Sequence, residues 1–160
     1  MKYLLRILPW KKTLQISIAL LTILIILSFY GLYTNGFPIL KTNNFIFPLL
    51  TLVHFIFLYV LWFKIKEDEE ADPRMRIIEY MLYAVFLVYL FKAFQTIMIL
   101  TTYSDFSNHV IPSTFFPVGI LILALQIILL GITLLAIKYR KDMVGDYKFD
   151  DMNQHIDSWE

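Results

Sequence analysis

Three long apolar runs of this chain each carry one strongly polar residue able to bond, titrate or ligate near mid-run: His54, Lys92 and Gln126. Counted at about 1.5 Å of helical rise per residue from the ends of their runs, each lies roughly 12–14 Å deep. One depth on three helices would let them meet as a polar layer in the centre of a bundle. Gln95 and Thr96 lie one helical turn from Lys92 on a similar face, and Tyr89 lies one turn the other way. Lys92 is the costliest member, because an ionised lysine near mid-membrane costs on the order of 2.5–3.5 kcal/mol on insertion scales. Three fates are open to it: snorkelling to a surface, capture by His54, Gln126 or a tyrosine hydroxyl, or contact with an anionic ligand or a water-filled path. Helical side chains lean toward their own N-terminus, which predicts that Lys92 leans toward the membrane centre. His54 reads as an interhelical hydrogen-bonding group. Gln126 reads as helix-to-helix glue worth roughly 0.6–2 kcal/mol.

Other chemistries are excluded or poorly served. The 160 residues include no cysteine, which removes thiol nucleophiles, thiolate ligands and disulfide exchange. A bis-histidine haem needs a second histidine at membrane depth, but His109 and His155 fall outside the apolar runs. The acidic run Glu67, Asp68, Glu69, Glu70, Asp72 is flanked by Lys64, Lys66, Arg74 and Arg76, which suits a self-neutralising loop better than a cation site. Asp150, Asp151, His155 and Asp157 are a nonspecific metal set. There is no membrane carboxylate in the first run, as a small multidrug exporter needs, and no aspartate pair, as a lipoprotein signal peptidase needs. No catalytic residue, metal or cofactor is expected.

The elements that carry these residues are four apolar runs, residues 13–33, 45–63, 77–101 and 115–137, each about 19–25 residues and able to cross a bilayer as a helix. Basic residues alternate around them. Lys2, Arg6, Lys11 and Lys12 precede the first run. Lys64, Lys66, Arg74 and Arg76 separate the second from the third, and Lys138, Arg140, Lys141 and Lys148 follow the fourth. The other two connections hold only Lys41. The positive-inside rule then puts both termini and the middle connection in the cytoplasm of a bacterial inner membrane. Tyr30, Tyr33, Phe37, Phe45, Phe47, Tyr103, Phe106, Phe115 and Phe116 form one aromatic belt, and Trp10, Trp62 and Tyr139 the other. Asp72-Pro73 predicts a capped restart of the third span. Glu79, just inside that span, has Arg76 and Tyr83 as candidate partners.

The chain thus divides into a basic interfacial flank at 1–12, a four-span domain at 13–141 and an acidic, amphipathic cytoplasmic tail at 142–160. In the tail, Phe149, Met152, Ile156 and Trp159 follow helical spacing on one face, suited to docking in a groove. The expected fold is all-α, an integral membrane four-helix bundle. The expected role is that of a non-catalytic subunit, anchor or effector in the lipid bilayer. It would associate with itself or another membrane subunit, engage a cytosolic protein through its tail and middle connection, and bind no nucleic acid. The alternative is a small channel or carrier for an anion or proton lined by the His/Lys/Gln layer, and a third is a lipid-acting enzyme.

Overall fold

The computed structural model describes residues 8–103 and 111–147. Four helices take up most of that length: α1 Trp10–Ser28, α2 Ile46–Glu67, α3 Pro73–Thr101 and α4 Phe115–Val144. A 3-10 turn, Thr42–Phe45, leads into α2. All four are long and apolar enough to cross a membrane. The fold is the all-α four-helix bundle expected from the sequence.

Local chemistry sets the helix ends. Pro9 stands in extended conformation before α1, and its carbonyl accepts the Thr13 N–H at 3.0 Å. A proline here forfeits no helical hydrogen bond, because the first donors of a helix have no partner within it. α1 stops at Ser28, short of residue 33 where its apolar run ends. The Phe29 and Tyr30 N–H groups close three-residue turns on the Ile26 and Leu27 carbonyls at 3.2 and 3.0 Å. The chain then folds back, with the Gly31 N–H donating to the Gly36 carbonyl at 2.8 Å and Asn35 left-handed at φ 47°. Asparagine tolerates that conformation better than most side chains. The aromatic and aliphatic residues after Ser28 belong to this turn, which apolar character alone does not reveal.

Between α2 and α3 the restart is as expected. Asp68 ends α2 in the left-handed region at φ 54°, and Asp72 caps α3 by accepting the Met75 N–H at 2.7 Å, with Pro73 at the first helical position. α4 continues past residue 137 to Val144, where Gly145 takes a φ of 88° that favours glycine.

α1 packs on α2 and α4, α3 packs on the same two, and α2 touches α4 across the bundle. The short turn at 68–72 makes α2 and α3 antiparallel. One end, the loop end, gathers residues 29–45, 102–103 and 111–114. There Thr114 Oγ1 and Tyr30 Oη both donate to Asn35 Oδ1, at 2.9 and 2.6 Å. The opposite end, the terminal end, holds the α2–α3 turn, residue 8 and residues 145–147, and here the Tyr139 hydroxyl donates to the Leu8 carbonyl.

Leu21, Phe57, Leu58, Leu61, Met75, Leu82, Leu129 and Ala136 form a continuous core. Outside it, Ile26, Leu49, Leu87, Phe91, Phe94, Ile120 and Ile127 are exposed, a periphery suited to lipid rather than water. Gly119 brings α4 close to α3: a Cβ there would stand 2.6 Å from Leu100 Cδ2. Tyr33, Tyr103, Phe115 and Phe116 cluster at the loop end with ring centroids 4.5–5.4 Å apart. Phe47, assigned by sequence to that belt, instead turns into the core and stacks against Tyr89 at 5.5 Å.

Candidate functional site

The polar residues of the spans divide into two groups. His54 shares the buried face of α2 with Thr51, Phe57, Leu58 and Leu61 and is itself fully buried. Its Nδ1 lies 3.4 Å from the Tyr89 hydroxyl, at the long limit of a hydrogen bond, and its ring centroid is 5.9 Å from that of Tyr89. Its Nε2 is buried with no partner among the described residues. Tyr89 is thus held between His54 and Phe47. This pair bridges α2 and α3 in a buried setting.

Lys92, Gln95 and Gln126 belong to the second group. They line one cavity of about 170 Å³ together with Ser28, Tyr30, Asn43, Asn44 and Thr96. His54 is not among its lining residues. Lys92 Nζ donates to Gln95 Oε1 at 3.3 Å. The expected lean of Lys92 toward the start of its own helix is not observed. Its partner is one turn nearer the loop end, and the cavity it lines is walled by loop-end residues. The four-carbon stem is long enough to override the helical bias, and the carboxamides at that end bring acceptors within its reach. Gln126 Oε1 is buried but has no hydrogen-bond partner among the described residues. Among the described residues its amide carbonyl therefore makes none of the interhelical bonds expected of it.

A third site was only half visible in the sequence. Glu79 is buried at the terminal end, where its Oε1 accepts from Tyr83 at 2.7 Å and from Arg140 Nη2 at 2.8 Å, and its Oε2 accepts from Tyr147 at 2.6 Å. Arg140 Nε lies 2.6 Å from Oε2, but its N–H is not aligned for a hydrogen bond, so that contact is coulombic. Both side chains are 3% exposed. Arg140 also donates from Nη1 to the Gly145 carbonyl at 3.0 Å, and its guanidinium lies 4.4 Å from the centre of the Tyr147 ring. Burial raises the Tyr147 hydroxyl's pKa, and its bond to the Glu79 carboxylate raises it further. Tyr83 was an expected partner of Glu79. Arg140 was not, because its place beside Glu79 depends on how α4 lies against α3. The signal in the sequence was one acid and one base at similar depth on different spans.

In the α2–α3 turn, Lys64 is nearly buried and bridges Glu69 at 2.8 Å and Asp72 at 3.1 Å, while Lys66 pairs with Glu67 at 3.1 Å. Burial pushes the Asp72 carboxyl up, but the Met75 N–H and the Lys64 ammonium outweigh it and hold the group below the usual carboxylate range. Among the described residues no three His, Asp or Glu side chains are grouped so as to hold a metal ion. The tail residues Phe149, Met152, Ile156 and Trp159 lie outside the described residues. No family model, no curated protein and no solved structure significantly matches this chain.

Proposed function

We propose that this multi-pass membrane protein is a non-catalytic anchor of the bacterial inner membrane, with both ends in the cytoplasm. Its four spans associate with each other and with lipid, and with a second copy or another membrane subunit, while the segment after Tyr147 engages a cytosolic protein. The observation that carries this reading is the attachment of residues 145–147 to the bundle. Arg140 holds the Gly145 carbonyl, and Tyr147 is tied to Glu79 on α3. A chain that leaves the membrane through such a brace presents its next segment from a defined point. A free tether would need no buried ion pair at its root. The alternating basic flanks support the cytoplasmic placement.

The channel alternative is weakened by the separation of His54 from the Lys92 cavity, since the three residues do not line one path. Truncation after Tyr147 tests the anchor. In mild detergent, the full chain is expected to purify with a cytosolic protein in fixed stoichiometry. The truncated chain should insert normally and lose that protein. Equal recovery of the partner with both chains would refute the role of the tail.

A further inference from the structure

We propose that the Lys92 cavity at the loop end is a binding site for a phosphate-class oxyanion, the headgroup phosphate of an anionic lipid or a free phosphate. Three observations meet there. Lys92 lies about nine residues, or roughly 13 Å, inside the end of α3. The only polar contact of its ammonium among the described residues is a neutral carboxamide at 3.3 Å. Among the described residues no carboxylate lines the cavity: its polar wall consists of Lys92, Gln95, Gln126, Asn43, Asn44 and hydroxyl groups. A half-buried cation within a membrane-spanning helix, with no anion beside it among the described residues, is the costly half of a pair, and an anion from outside the chain removes that cost.

The remaining groups narrow the ligand. The Gln95 carboxamide accepts from Lys92 through oxygen, which leaves its N–H groups free to donate alongside Nζ. Gln126 Oε1 is a buried acceptor without a donor among the described residues, and a hydroxyl carried by the anion, as in hydrogen phosphate or a glycerol headgroup, would satisfy it. At about 170 Å³ the cavity holds the equivalent of about six waters at roughly 30 Å³ each. That suits a phosphate-sized group and is too small for an acyl chain. The site is independent of the tail and of the anchor role, so neither reading depends on the other.

Asp105 is the one carboxylate that the sequence supplies to the loop-end connections, and it lies outside the described residues. The experiment therefore includes it. Full-length protein in neutral detergent is titrated with inorganic phosphate, with short-chain phosphatidylglycerol and with short-chain phosphatidylcholine as control, while thermal unfolding is followed. A saturable rise in midpoint is expected with phosphate or phosphatidylglycerol and not with phosphatidylcholine. Response to the lipid alone identifies a headgroup, response to phosphate alone a free anion, and response to both the shared chemistry. Lys92→Met should weaken binding about tenfold or more, Lys92→Arg should retain it, and Lys66→Met at the opposite end should leave it unchanged. Should Lys92→Met fail to fold, Gln126→Leu and Lys92→Arg still bracket the site, with reduced and retained binding respectively. No response of the parent protein to either anion overturns the proposal, as does an unchanged affinity in Lys92→Met. Binding that appears only in Asp105→Asn also overturns it, because the chain's own carboxylate would then fill the site.

Discussion

At the scale of single residues, the Glu79–Arg140 pair is the strongest electrostatic commitment among the described residues. Both groups have left water, and each is satisfied only by the arrangement that satisfies the other. Removing one partner leaves a buried charge, a loss of roughly 3–5 kcal/mol, whereas replacing both with apolar residues of similar volume is often close to neutral. Glu79→Leu and Arg140→Met are therefore expected each to lower the unfolding midpoint in detergent sharply. The double variant should recover most of the loss. A double variant as unstable as the sum of the singles would mean that the tyrosines, not the ion pair, organise this end. His54 shows the opposite economy: with one nitrogen unpartnered among the described residues and the other 3.4 Å from a hydroxyl, it fills space more than it bonds.

At the scale of elements, the α2–α3 turn is where sequence and structure agree most closely. Asp72 does two jobs, capping α3 through Met75 and closing the turn through Lys64. Asp72→Ala should cost about 1 kcal/mol through the lost cap alone. The pH dependence has a definite sign. A carboxyl held below its ordinary value is more often ionised folded than unfolded, so it contributes stability above its unfolded pKa of about 3.9 and loses it as pH falls through the lower folded value. The gap in stability between the parent and Asp72→Asn should thus be full at neutral pH and close below about pH 4. A gap that persists there would assign the effect to packing. α1 teaches the reverse lesson: its end at Ser28 results from Gly31, Asn35 and Gly36 folding back, while the apolar run continues past it.

For the whole molecule, the orientation in the membrane is the property most open to direct test, and the absence of cysteine makes the test clean. Leu40 at the loop end is 97% exposed, and Glu70 lies in the opposite turn. In intact cells, a membrane-impermeant maleimide should label Leu40→Cys and spare Glu70→Cys until the membrane is opened. The reverse pattern would invert the bundle and place the Lys92 cavity in the other leaflet.

The sequence by itself determined the class of this protein, because length and hydropathy of each run are local quantities. Four helices, the capped restart at Asp72-Pro73 and the exposed apolar periphery derive from them. It also named the costly intramembrane side chains. It did not determine which of these meet, since equal depth on three helices leaves their rotation and the direction of long side chains free. Tertiary packing turned Phe47 inward, set His54 against Tyr89, opened a cavity around Lys92 and Gln126, and brought Arg140 to Glu79 across 61 residues of chain. The physical reason is that burial rewards any apolar face, whereas polar groups must find particular partners, and only the packed helices decide which are within reach.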